Sequence, residues 1–308
     1  MLTSTPVAFV RRPSPRLVDG LVTHIERSSD VDADLAFAQW EQYVETLQAA
    51  GFSIVEVEPA PDCPDAVFVE DAMLVLGDAM PGDTAQSDIA VMTAPAEPSR
   101  MPEVAGARVA AVATGLKVLA LADPPTQRTP ASSDGSETAG GPEGVRGPEG
   151  VRGPGGPTGE EPVALDGGDV LKVGDTAYVG VGGRTTRAGA AALAQAVRPL
   201  GWQVVSVPIT TTLHLKSQVT ALPDATVVGF EPLVDDPSFW PSFLAVPEPD
   251  GAHVVVLAEH AVLMSDAAPR SAQMFRSRGL DVVEVPMSEF TKLEGCVTCL
   301  SVRLHAYD

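Results

Sequence analysis

A chain of 308 residues, 44% of them hydrophobic, holds enough apolar material for a sizeable core in one or two domains. Its formal charge of −21, from 41 acidic against 20 basic side chains, repels polyanions and attracts cationic small molecules, so nucleic acid is excluded as the expected partner. No run reaches the roughly 18 to 20 uncharged apolar residues that span a bilayer, since Arg108 and Lys117 interrupt the most apolar stretch, 104–122. Arg11 and Arg12 follow the first apolar run rather than precede it, the wrong order for a secretion signal, so the expected setting is cytoplasmic with no membrane partner.

Along the chain, short β-branched runs alternate with helical patterns. Residues 7–10 read as a strand, 33–50 as an amphipathic helix ended by Gly51, and 52–57 as a strand, the hydrophobic period changing across the glycine. The run 66–75 reads as a further strand, and by strand periodicity Asp65 and Asp71, an even number of residues apart, fall on one face. The tract 126–161 contains Pro, Gly, Ser and Glu with tandem copies of G-P-E-G-V-R, too little apolar surface to offset ordering, and is expected as a disordered insertion within a single domain spanning 1–308. Beyond it come strands over 170–173 and 177–181, a helix over 188–200, strands over 203–207, 225–228 and 254–257, a helix over 270–278, and strands over 281–285 and 300–304. Strand, helix with glycine and strand recur at intervals of about 50 to 60 residues, which makes an α/β chain that is either a doubly wound sheet or a radial repeat of small units. The pattern leaves both open.

Four clusters carry chemistry-bearing residues. Near the C-terminus, L-E-G-C-V-T-C-L-S places Cys296 and Cys299 in C-x-x-C spacing; with Cys63 they are the three cysteines of the chain, too few for a disulfide framework. A zinc site lacks the further ligands it needs, and a redox pair normally opens a helix after an early strand, whereas this pair precedes a late strand; a single nucleophilic thiol is the third reading. L-H-L-K-S sets His214 between leucines, surroundings that favour a neutral imidazole able to act as a base or shuttle a proton. L-D-G-G-D puts two glycines between Asp166 and Asp169, where a tight turn is expected. Asp65, Glu70 and Asp71 bracket an apolar run; without neighbouring histidines, a guanidinium or ammonium is as plausible a partner for them as a metal.

These motifs in this order, together with L-V-D-G-L at 17–21, A-E-P-S-R at 96–100 and V-G-V-G-G-R-T at 179–185, resemble the dimethylarginine dimethylaminohydrolases of the guanidine-modifying superfamily, which also holds arginine deiminases and amidinotransferases. The resemblance implies a pentein α/β propeller, five ββαβ-like units around a central channel that contains the active site, which selects the radial option. It implies Cys299 as nucleophile, His214 as general acid and base, and Asp166 as the carboxylate that orients His214 and holds the guanidinium, with Cys296 a bystander. Asp65, Glu70 and Asp71 become pocket carboxylates, Arg100 and Arg184 a clamp on an α-carboxylate, and Leu21, on a lid, and Leu293 backbone acceptors for an α-amino group. Glu294 departs from an aspartate common in relatives, and Gly182-Gly183 from bulkier pairs. The implied activity is hydrolysis of dimethylarginine or monomethylarginine to citrulline and alkylamine with no metal or cofactor, by a monomer or homodimer. The alternatives are an arginine deiminase, a hydrolase of another guanidino compound, or an arginine-binding protein without turnover.

Overall fold

The structure, a computed structural model, describes residues 5–27, 29–77, 88–121 and 161–304. The insertion expected over 126–161 lies outside the described residues, apart from Glu161.

Among the described residues the strands form five three-stranded sheets, each built to one plan. In the first, β1 (Val7–Val10) lies between an antiparallel neighbour, β15 (Ser301–Leu304), and a parallel one, β2 (Ser53–Glu56), reached through helix α1 (Ala33–Ala49). In the second, β3 (Met73–Leu76) pairs antiparallel with β4 (Ile89–Met92), which leads through α2 (Glu103–Ala113) to the parallel β5 (Lys117–Ala120). The third repeats this with β6 (Val170–Val173), β7 (Thr176–Val181), α3 (Arg187–Val197) and β8 (Gln203–Pro208). In the fourth, β9 (Val219–Ala221), β10 (Val227–Gly229) and β11 (Phe243–Ala245) follow the same order, but two single turns, Glu231–Leu233 and Pro237–Phe239, replace the helix. The fifth holds β12 (Val254–Ala258), β13 (Ala261–Ser265), α4 (Pro269–Ser277) and β14 (Asp281–Val285).

These are the five ββαβ-like units implied by the resemblance, arranged as a ring. The first strands of all five sheets, β3, β6, β9, β12 and β15, line one common cavity of about 380 Å³ on the ring axis. Helices pack on the outer side of the sheets. Helix α1 shows why: Ala36, Trp40, Tyr43 and Leu47 recur at helical spacing and are buried, Asp32 caps its first turn by accepting from the Leu35 N–H, and Gly51, at φ +94°, turns the chain into β2. The Tyr43 hydroxyl reaches across to the Val297 carbonyl at 2.8 Å and Ser301 Oγ at 2.7 Å, tying the helix to the turn that carries the late cysteines.

Most of the elements read from periodicity are present within a residue or two. The exception with chemical consequences is 66–75, where a strand is present only from Met73. Before it the chain makes tight turns, with Phe68 N–H donating to Asp65 C=O and Asp71 N–H to Phe68 C=O, then a single helical turn over Val69–Ala72. Alternation of faces therefore does not apply to Asp65 and Asp71. The segment is wholly buried, and among the described residues no strand pairs with it, so its backbone groups are satisfied by turns, by the Cys299 carbonyl and by the side chains of Arg100 and Thr93.

Candidate active site

The ring plan explains the spacing of the motifs. Each first strand is entered through a tight turn at the end of the channel, and four of the five turns are the four motifs: Val69–Ala72 before β3, Gly167–Asp169 before β6, Leu215–Ser217 before β9, and 296–299 before β15. Residues far apart in sequence thus surround one axis. Leu21, Asp65, Asp71, Arg100, Arg184, His214, Leu293, Glu294 and Cys299 line a single small pocket there.

At its centre, His214 Nε2 lies 3.2 Å from Asp166 Oδ2, and both side chains are buried. The other Asp166 oxygen accepts the Ala96 N–H at 3.0 Å, which fixes the carboxylate. Glycines 167 and 168 are needed for close approach: neither has a positive φ, but a Cβ on Gly167 would sit 1.9 Å from the Glu70 carbonyl oxygen, and one on Gly168 would sit 2.6 Å from His214 Nδ1. The Gly168 N–H donates to Asp71 Oδ1 at 2.8 Å, while Arg100 Nη1 donates to Asp71 Oδ2 at 2.5 Å. Asp169, fully buried, accepts from Thr185 Oγ1 at 2.6 Å and from the Leu215 N–H at 2.9 Å, so it braces the loop on which His214 rides.

The electrostatics reverse one expectation. His214 lies between leucines in sequence but among carboxylates in space. Burial opposes its charged form, yet Asp71, Asp169 and Asp166 outweigh that and push the imidazole up to about 9. It is therefore an imidazolium at neutral pH, not the neutral ring expected from apolar neighbours. Burial likewise works against the Asp71 carboxylate, but His214 and Arg100 hold it down to about 2. Asp169, without a comparable cation in contact, is raised by burial to about 6. Since the folded-state value of His214 exceeds its unfolded value of 6.5, its contribution to stability is complete below about pH 6.5 and disappears as pH rises through about 9. In proton NMR the His214 ring should titrate with a midpoint near 9; a midpoint near 6.5 would mean that the surrounding carboxylates do not act on it.

Cys299 is half-buried and Cys296 fully buried; their sulfurs are 3.4 Å apart and both are free thiols. The shared S–H···S contact with Cys296, burial, and the nearby Glu70 and Asp71 raise the Cys299 thiol well above its ordinary value, which favours the thiol over the thiolate. Cys296, set aside in the sequence reading, is thus in contact with Cys299; the C-x-x-C spacing was the signal for it. Glu70 does not line the pocket: its Oε1 is 2.5 Å from Lys216 Nζ, on the far side of the motif turns. Asp65 faces the pocket and accepts the Leu21 N–H at 3.1 Å; burial raises its pKa despite the opposing pull of Arg100.

The two arginines differ. Arg100 spends its guanidinium inside the protein, on Asp71, both oxygens of Glu103, and the carbonyls of Asp65 and Phe68. Among the described residues Arg184 makes one long ion pair, 3.7 Å to Glu97, which leaves N–H groups to offer. The Gly182-Gly183 pair before it has a packing reason at its first member, where a Cβ would fall 2.7 Å from the Ile209 carbonyl oxygen; at Gly183 there is open space.

Glu294 sits at φ 60° and turns its carboxylate to the 21–24 segment, accepting the Thr23 N–H at 2.9 Å and the His24 N–H at 2.6 Å. That segment closes over the pocket, whose free volume of about 20 Å³ is room for little more than one water. An amino-acid-sized ligand enters only when a wall moves, and this wall is fastened at its tip by one exchangeable carboxylate. Glu294→Ala should raise hydrogen exchange at the Thr23 and His24 amides by roughly tenfold, the worth of a charge-assisted hydrogen bond; unchanged exchange would show that other contacts hold the segment.

Of the residues that the resemblance assigns to catalysis or substrate binding, all but Glu70 and Asp166 line the pocket; Asp166 stands behind His214, so it is placed to orient the ring rather than to hold a guanidinium. Asp169 and Thr185 were missed, although both lie inside motifs already noted. Among the described residues no group of three or more His, Cys, Asp or Glu is placed to hold a metal ion, and no helix is long and apolar enough to cross a membrane.

No family model matches the chain. It is 47% identical over 297 residues, 96% of each chain, to the N(G),N(G)-dimethylarginine dimethylaminohydrolase of Streptomyces coelicolor. It is 26% identical over 299 residues, 96% of this chain and 98% of the other, to the enzyme of the same name from Pseudomonas aeruginosa. The crystal structure of the Pseudomonas aeruginosa enzyme with citrulline superposes with a TM-score of 0.73 at 24% identity, over 97% of this chain and 99% of that one. The N-terminal domain of ArgZ, a cyanobacterial arginine dihydrolase, superposes with a TM-score of 0.72 at 19% identity, over 97% and 98%. Those two likenesses concern the fold. Taken with the 47% identity along nearly the whole length, they leave a single conclusion: the chain belongs to the dimethylarginine dimethylaminohydrolase family and has its five-unit α/β propeller.

Proposed function

We propose that the chain hydrolyses dimethylarginine and monomethylarginine to citrulline and the corresponding alkylamine, through a covalent intermediate on Cys299. The observation that carries this reading is the convergence of a thiol, an imidazolium and two carboxylates, Cys299, His214, Asp65 and Asp71, on one small pocket in a chain so similar to an enzyme named for that reaction.

A guanidinium carbon is a weak electrophile because its charge is spread over three nitrogens, so a thiolate rather than water must attack it. Cys299 starts as a thiol. A cation bound beside it favours loss of its proton to solvent, so substrate activates the nucleophile. Asp71 and Asp65 hold the planar guanidinium by charge-assisted hydrogen bonds, and Arg184 takes the α-carboxylate; Arg100 keeps Asp71 in place. The sulfur adds to the central carbon and forms a neutral tetrahedral species. His214, protonated at rest, gives its proton to the substituted nitrogen, the C–N bond breaks, and the amine departs, leaving a thiouronium cation on sulfur. The neutral imidazole then takes a proton from water as its oxygen adds to the same carbon. Collapse breaks the C–S bond and releases citrulline and the Cys299 thiolate; the carbonyl proton passes to solvent, the departed amine ends as an ammonium ion, and Cys299 regains a proton from solvent once the bound cation is gone. Asp166 holds the ring in place through both halves.

Incubation with asymmetric dimethylarginine and, separately, arginine, followed by assays for ureido product and for dimethylamine, tests the reading. Citrulline with stoichiometric dimethylamine is expected; ammonia from arginine with no alkylamine would make the chain a deiminase, and ureido product from neither would refute the proposal.

A further inference from the structure

The cavity of about 380 Å³ on the ring axis lies at the other end of the channel from the catalytic pocket. The Glu70–Lys216 ion pair lines it, while Asp71 and His214, one and two residues along the chain from that pair, line the pocket. Its charge is anomalous for so acidic a protein. Lys172 on β6, Lys216 before β9 and Arg303 on β15 converge on it from three different units, against one lining carboxylate among the described residues, Glu70. Lys216 is matched by Glu70. Lys172 donates to the Val75 carbonyl at 2.9 Å, and Arg303 Nη1 donates within its own strand to Ser301 O and Oγ; among the described residues neither is ion-paired. Asp88 and Glu70 are the carboxylates that act on Lys172, and Asp88 does not line the cavity. Thr220, Thr298 and Ser301 add hydroxyls, and Met73, Leu171 and Val254 give apolar wall.

We infer that this cavity is a binding site for a small organic polyanion, a molecule bearing two or more carboxylate or phosphate groups, held between Lys172 and Arg303. Three lining cations against one lining carboxylate among the described residues leave two positive charges to balance, and the Arg303 fork suits a planar carboxylate or a phosphate edge. The volume is of the size that holds small metabolites, about 300 to 1,000 Å³, and the apolar wall accommodates a carbon skeleton. A guanidinium is repelled here, so this is not a second site for the substrate class of the proposed reaction, and the inference stands or falls independently of that reaction. An anion that approaches Lys216 competes with Glu70 for its ammonium. Because the Glu70 N–H donates to the Cys299 carbonyl at 3.3 Å, occupancy would be felt at the nucleophile's backbone.

The test is calorimetric titration of the full chain with citrate and with inorganic phosphate at fixed ionic strength, beside acetate as a monovalent control. One saturable site for citrate or phosphate, absent with acetate, is expected, and whichever binds more tightly identifies carboxylate or phosphate as the natural group. Lys172→Gln and Arg303→Gln should each weaken binding by about tenfold. Equal heats in both folded variants, or the same response to acetate, would reduce the effect to screening of an acidic surface and overturn the inference. If a variant does not fold, a wild-type crystal soaked in citrate decides: density between Lys172 and Arg303 supports the site, and an empty cavity at saturating citrate rejects it.

Discussion

Cys299→Ser should bind substrate with little change in affinity and turn it over more slowly by about a thousandfold or more. A serine hydroxyl is not ionised by a neighbouring cation at neutral pH, so the step that a bound guanidinium makes possible for sulfur is closed to oxygen. The substitution is small, the site is half-buried, and the contact with Cys296 survives as an O–H···S interaction, so the fold should persist. Calorimetry with dimethylarginine and a ureido assay on the same preparation separate the outcomes: binding without product supports the covalent role, and product at more than about a tenth of the wild-type rate would remove Cys299 from the chemistry.

The second large effect is expected at a residue that has no side chain. In Gly168→Ala the new methyl would lie 2.6 Å from His214 Nδ1 and 2.7 Å from Asp71 Oδ1. Neither neighbour is free to retreat, because His214 is anchored to Asp166 and Asp71 to Arg100. The imidazole and the carboxylate must be pushed apart by a fraction of an ångström to one ångström, a misplacement worth about a hundredfold in rate, with a stability cost of roughly 1 to 3 kcal/mol from overpacking. Gly183→Ala is the control, since a Cβ there meets nothing within 4 Å; it should stay within about twofold of wild type. Equal activity of the two variants in steady-state kinetics would mean that the channel wall yields more readily than these contacts imply.

Much of this architecture was legible in the sequence because it is local. The glycine-ended helix over Ala33–Ala49 and the strands that flank it announce themselves by period and punctuation, and L-D-G-G-D, L-H-L-K-S and the late cysteines are short motifs whose residue types suit one chemistry. What was misread depends on neighbours distant in the chain. The run before β3 is as apolar as a strand, yet it faces the channel and among the described residues no strand pairs with it, so it turns instead. His214 between two leucines looks apolar, but its charge is set by carboxylates from the turns before β3 and β6. Asp169 passed as the far end of a turn although it braces the His214 loop. Arg100 and Arg184 look equivalent in sequence; only their partners distinguish a strut from an arm with free N–H groups.

The pairing of β1 with β15 has a bearing on biogenesis. Val7 lies opposite Leu304, so β1 waits for a strand synthesised long after it, and the ring is clasped by the same short stretch that carries Cys299. Closure over so long a separation is slow in kinetic terms. A nascent chain halted before that stretch would carry the turns that bear Asp71 and His214 but not Cys299, which couples assembly of the pocket to completion of the ring.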